Sequence, residues 1–238
     1  AAPEALRNGA DCWLRSWMLH AGLVYPWALP ALLVALLLLW QIVGDYSWRC
    51  SLDTLSGMFG ESLLFALLLI VAGQSLNLMF QGCGLETLDA SAMSLADPSW
   101  TNAARSTLAA RALSFLGAGI YEELMFRLLL IPAAFYFLRM LLLPRSVSIV
   151  LAIGISSLVF AAAHYLPPSA PLSIECLGTA LHEVRGTPGQ WYGFCFRVLA
   201  GVSFAVLLLL RGFGIAVGCH ALYDLLAGIL MQAPDQIS

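Results

Sequence analysis

The sequence contains no lysine; its eleven basic residues are all arginine. That reads as a coding bias of the source rather than as mechanism. Charge of either sign is scarce: 11% of residues are Asp, Glu, Lys or Arg, against about 25% in a soluble domain. The shortage excludes an ordinary soluble fold. A net charge of −3 without any basic patch excludes a nucleic-acid partner. The six cysteines (Cys12, Cys50, Cys83, Cys176, Cys195 and Cys219) contain no C-x-x-C spacing. A zinc-thiolate site and a disulfide framework are excluded, and the thiols read as small apolar packing residues. Internal repeats and low-complexity segments are missing too. No stretch reads as a cleavable signal peptide, although Arg7 and Arg15 precede the first apolar run. The chain begins at Ala1 rather than Met, so the natural N-terminus is expected upstream.

What is there is apolar. Hydrophobic residues make up 61% and the mean hydropathy is +0.86, which predicts a polytopic membrane protein. A bilayer core of roughly 30 Å takes about 20 apolar residues per helix. The expected spans are 27–43, 61–80, 106–143, 146–163, 191–210 and 213–231. Tyr25, Trp40, Tyr46 and Trp48 flank the first, as rings do at the headgroup belt. Residues 81–106 form a polar connection. Pro132 should kink or split the long run 106–143. A proline-rich polar loop follows 163. Only Arg211 and Gly212 separate the last two spans, which forces an antiparallel hairpin. The predicted fold is an all-α polytopic membrane bundle of about six transmembrane helices. It has seven to eight helices if 106–143 divides or an N-terminal amphipathic helix is counted. Arg7 and Arg15 argue for a cytoplasmic N-terminus.

Against this background, Tyr121-Glu122-Glu123-Leu124-Met125-Phe126-Arg127 stands out, with three charges in an apolar helix. Ionisable groups are costly in a bilayer and mark function when present. Glu123 and Arg127 are four apart and can pair on one face. Glu122 is turned about 100° away. One carboxylate held by the arginine and the other available for proton transfer is one reading; a structural ion-pair cluster is the other. His164 ends the span 146–163, where capping competes with catalysis. His220 and Asp224 share a face at i, i+4, either as an orienting pair for chemistry or as a bond that fixes packing. Gly214-x-x-x-Gly218 just before them allows close helix approach. Most ionisable residues of the later spans fall into these three groups, and a carboxylate with two histidines is the chemistry of water activation. There is no H-E-x-x-H; His182-Glu183 sits in the loop without a second histidine four residues on.

The order Glu122-Glu123-x-x-x-Arg127, Phe160-x-x-x-His164, His220-x-x-x-Asp224 resembles the CPBP family of intramembrane endopeptidases. That family includes the type II CAAX prenyl endopeptidases and the bacterial Abi-type proteins. The likeness covers roughly 105–232 and implies that this part is the catalytic core. Residues 1–104, with two membrane helices and the polar connection, pack with it as one membrane domain. It further implies an endopeptidase acting on a membrane-associated protein or peptide: a CAAX-type C-terminus, a precursor, or a C-terminal sorting segment. Glu122 would activate water, Glu123 would stand beside it, and Arg127 would orient the pair. His164 would help hold the water or a metal. His220 and Asp224 would line the site and stabilise the oxyanion. The family is described both as metal-independent and as metallo-proteases, so no cofactor is certain. A divalent metal such as zinc would sit on Glu122, His164 and His220. The last motif position is often Asn in CAAX-type members, and here it is Asp224. The expected location is a bacterial or archaeal plasma membrane. The alternative is a membrane protein without this activity: an immunity factor, a scaffold, or a proton-coupled transporter-like protein. A degenerate member should have lost a catalytic position and a transporter should show repeat symmetry; neither is the case in this sequence.

Overall fold

The structure, a computed structural model, describes residues 9–44, 47–84, 108–167 and 170–230. Arg7, Tyr46 and most of the polar connection expected at 81–106 lie outside them. Helices joined by short connections make up the described residues, with no strand among them. Three helices are long and apolar enough to cross a membrane: α3 (Leu52–Gly82), α6 (Arg145–Ala163) and α8 (Trp191–Arg211). Two shorter apolar helices accompany them, α2 (Ala28–Val43) and α9 (Phe213–Leu225). The helical run from Leu108 to Met140 is the sixth rod of the bundle. A short helix, α1 (Gly9–His20), precedes the bundle, and α7 (Ile174–Gly186) lies between α6 and α8. The chain is an integral, multi-pass membrane protein.

Three sequence expectations need correcting. The second span begins at Leu52 rather than 61. Ser51 caps it by accepting from the Thr54 amide at 3.1 Å, and Asp53 sits in the first turn, where a negative charge meets the helix dipole. At 31 residues α3 is about 46 Å long, more than the roughly 30 Å hydrocarbon needs. The loop after 163 is not all loop. Ser173 caps α7 through the Cys176 amide at 3.2 Å, and His182 and Glu183 are exposed on that helix. Pro132, finally, does not split its run. A proline lacks the N–H and crowds the carbonyl four residues back. The helix meets this by widening into a π segment over Glu123–Leu130, between α4 (Leu108–Glu122) and α5 (Ile131–Met140). The Ser156 hydroxyl of α6 donates to the Phe126 carbonyl of that segment at 2.6 Å.

α9 is the central rod, packed on α3, α4 and α8. Small residues make the approach possible. A Cβ on Gly218 would lie 2.5 Å from Ser62 Oγ, and one on Gly214 would meet Met58 at 3.0 Å. Both residues of the G-x-x-x-G therefore face α3. Gly212, at φ 94°, makes the reversal between α8 and α9 that a residue with a side chain rarely adopts. α6 packs between α5 and α8, with Ile131, Leu138, Ala152 and Ala205 as a small apolar cluster of their own. At the turn of the hairpin, Arg211 and Glu61 form a bidentate pair, with Nη2 at 2.6 Å from Oε2. It ties the end of α8 to α3, residues 150 positions apart in the chain.

Candidate active site

Four stretches of the fold meet at one point. Glu122 ends α4, Glu123 and Arg127 lie on the π segment, His164 is the C-cap of α6, and His220 and Asp224 face inward from α9. All six residues named from the sequence are brought together. Glu123, Arg127 and His220 are fully buried, Asp224 is 1% exposed and Glu122 6%.

The support is built around Arg127. Its Nε lies 3.3 Å from Glu123 Oε2, and its Nη2 donates to the Gly201 carbonyl at 3.3 Å. Its guanidinium rests 4.2 Å from the centre of the Phe160 ring, with Phe204 on another side at 5.4 Å. A cation so far from water is tolerated because a carboxylate, a carbonyl and two ring faces surround it. Glu123 then reaches past the arginine to His220, Oε1 to Nδ1 at 2.8 Å. Phe204 stacks on the His220 ring, centroids 4.5 Å apart and planes 10° from parallel. Phe160 meets the same ring edge-on at 6.0 Å and the His164 ring at 4.6 Å. Each imidazole is thus held by an aromatic face and by a hydrogen bond on Nδ1. For His164 the bond goes to the Phe160 carbonyl, at 2.7 Å.

Those two bonds fix the tautomers. A carbonyl and an ionised carboxylate only accept, so Nδ1 of each ring carries the hydrogen. In the neutral rings Nε2 is then a bare acceptor. Both Nε2 atoms lie 3.7 Å from Glu122 Oε2. His220 Nε2 is also 3.5 Å from Asp224 Oδ2. Among the described residues, neither His220 Nε2 nor either Asp224 oxygen has a hydrogen-bond partner. Acceptors thus converge on one point and call for a species that supplies protons or positive charge. A water supplies two protons, and a divalent cation takes lone pairs from all sides. Beside Glu122 and His164 lies a cavity of about 20 Å³, room for about one water.

A metal fits this point by donor chemistry: two imidazoles, each with Nδ1 backed by an acceptor, and a carboxylate. As placed, no group of three such side chains among the described residues is gathered closely enough to grip an ion. The 3.7 Å separations exceed the about 3.3 Å between ligands of a tetrahedral zinc.

Several members of the site carried no mark in the sequence reading. Phe204 and the Gly201 carbonyl come from α8, whose apolar run looked like plain membrane helix; only Gly201 and Phe204 at i, i+3 hinted at a shared face. Gly9, Ala10 and Trp13 of α1 line the cavity opposite Glu122 and His164. The orienting partner of His220 is Glu123 of the neighbouring helix, through Nδ1. Asp224, which the i, i+4 spacing offered for that place, stands at Nε2.

Residues 104–226 match the family described as type II CAAX prenyl endopeptidase Rce1-like. The matched stretch is more than half of the chain and holds all six residues of the cluster. The chain belongs to that family. It is a CAAX-type intramembrane protease, a membrane-embedded hydrolase of protein substrates. No curated protein and no solved structure matches it.

Proposed function

We propose that this Rce1-like protein hydrolyses a peptide bond near the end of a membrane-associated protein or peptide with water activated by Glu122. The observation that carries the reading is the placing of one carboxylate oxygen 3.7 Å from two imidazole Nε2 atoms, beside space for one water. Glu122 takes a proton from the water as its oxygen bonds to the peptide carbonyl carbon. The carbonyl electron pair moves to its oxygen. When that pair returns, the C–N bond breaks, and the proton on Glu122 passes to the leaving nitrogen. The products are a new carboxylate and a free amine.

The other residues serve this sequence. His164 Nε2 accepts the second proton of the water and aims its lone pair. His220 binds a proton from solvent at Nε2 as the substrate enters, donates a hydrogen bond from it to the oxyanion and keeps it when the carbonyl re-forms; Asp224 Oδ2, 3.5 Å from Nε2, faces the charged ring. Glu123 and Arg127 hold the His220 ring in place. Zinc on Glu122, His164 and His220, when bound, would supply Lewis-acid polarisation of the carbonyl.

The test uses the purified chain against membrane-tethered peptides, comparing Glu122→Ala, His164→Ala and chelator treatment. The reading expects both variants to lose cleavage. Cleavage that survives Glu122→Ala overturns the mechanism. Loss on chelation with recovery on zinc assigns the metal. Asp224→Asn places an N–H donor where the oxyanion forms and is expected to keep activity, whereas Asp224→Ala should lose about 10²-fold.

A further inference from the structure

The cavity beside Glu122, about 20 Å³, has room for a water but not for a peptide. Glu122, His164 and Phe126 bound it on one side; on the other stand Gly9, Ala10 and Trp13 of α1. That helix belongs to neither the bundle nor the matched family stretch. It packs on α4, the helix that ends at Glu122, and on the start of α2.

We infer that α1 is a displaceable gate over the catalytic carboxylate, latched by Trp13, so that peptide reaches Glu122 only when the helix swings aside. The inference rests on the proteolytic reading above for its purpose, but not for its geometry. Trp13 is 5% exposed. Its indole lies over Gly9, where an added Cβ would meet the ring at 3.1 Å, so glycine is what lets the ring close down on the cavity wall. The indole Nε1 donates to the Ala170 carbonyl at 2.7 Å. That carbonyl lies in the stretch leading away from His164, so the latch joins α1 to the same end of α6 that carries the catalytic imidazole.

The helix is made to move as a unit. Asp11 and Arg15 pair at 2.9 Å along it, and Arg15 also donates to the Pro26 carbonyl at 2.9 Å across the connection to α2, a second bond that opening must break. Gly22, at φ 84°, sits in that connection and offers the pivot. Twelve residues make a helix that is marginal in water. α1 owes its form to Ala10, Trp13, Leu14 and Met18, buried on one face. Trp17 and Leu19 on the rest of its surface are exposed, 47% and 55%, ready to meet lipid in either position.

The test reads access rather than cleavage. In a Glu122→Cys chain, a polar maleimide labels residue 122, and peptide-resolved mass spectrometry separates that thiol from the six native ones. Trp13→Phe keeps the ring but removes the latch. It should speed labelling at 122 about fivefold, the shift that one lost hydrogen bond produces. Trp13→Ala should speed it further. Cys219, 1% exposed in the core of α9, should stay unlabelled in all of them. Unchanged labelling at 122 overturns the gate. A rise at 122 matched by a rise at Cys219 overturns it as well, since it reports general loosening. With Glu122 restored, Trp13→Phe should raise kcat/KM by a similar factor. A chain that cleaves nothing while labelling responds as expected sinks the proteolytic reading and leaves the gate standing.

Discussion

α3 buries four residues along its length of 31: Ser62, Ala66, Leu69 and Gly73. α8 buries nine along 21, among them Arg197 and the rings of Tyr192, Phe196 and Phe204. Their apolar 18-residue stretches have nearly equal mean hydropathy, 2.1 and 2.2. Hydropathy measures how willingly a segment leaves water, and says nothing about whether it then meets lipid or protein. α3 turns Leu55, Phe59, Leu64, Leu68 and Val71 outward, each at least half exposed in the absence of lipid. Its contribution to the site is a smooth wall for α9. α8 turns inward the carbonyl of Gly201 and the ring of Phe204, which hold Arg127 and His220. In a bilayer the polar atoms must be satisfied inside the protein, so of these two helices the one that touches the charges is the more buried.

Mutations can break this comparison, and the largest effects should lie on the buried side. Glu122→Gln keeps the volume and removes the base; cleavage of a fluorogenic peptide should fall by about 10²- to 10⁴-fold, with the melting temperature near that of the native chain. Next is Arg127→Met. It strands the Glu123 carboxylate, fully buried, without its cation. Denaturant unfolding in detergent should show a loss of about 3–5 kcal/mol, and the double change with Glu123→Gln should recover part of it. Gly218→Val tests the seam between the two halves. Its side chain would collide with Ser62, and overpacking of this kind costs about 1–3 kcal/mol; Ser62→Gly in the same chain should return some of it. The smallest effect belongs to the lipid-facing wall. Leu64→Ala on α3, 55% exposed, should shift stability by less than about 0.5 kcal/mol and leave the cleavage rate unchanged. A large effect there would mean that α3 also serves the site.

The charges of the site were legible because a membrane segment makes them conspicuous. Glu122, Glu123, Arg127, His220 and Asp224 interrupt apolar runs that contain little else to read, and their spacing already placed them on shared faces. The helix starts at Leu52 and Ile174 were legible in principle. Ser51 with Asp53, and Ser173 with Glu175, are capping signals, but the apolar count outweighed the first and the surrounding prolines masked the second. The packing was not legible. Nothing local to α8 says that Gly201 will offer its carbonyl to Arg127. Nothing in α1 says that Trp13 will lie beside Glu122, a hundred residues away. The choice of Glu123 over Asp224 as the partner of His220 Nδ1 is of the same kind: both carboxylates were in view, and only the tertiary arrangement decides between them.

The widened turn between Glu123 and Leu130 also changes how this helix should be read. An α-helical wheel drawn from Leu108 to Met140 assumes one phase throughout. A π turn takes up an additional residue, so the two ends run on different phases, offset by about 100°. The two carboxylates fall where the phase begins to slip, and Pro132 stands where regular α geometry resumes on the new phase. Alignments that tolerate a one-residue gap in 124–130 would therefore join chains whose motifs match letter by letter but whose paired carboxylates and distal half-helix no longer point the same way. The length of that segment is as much a part of the motif as its letters.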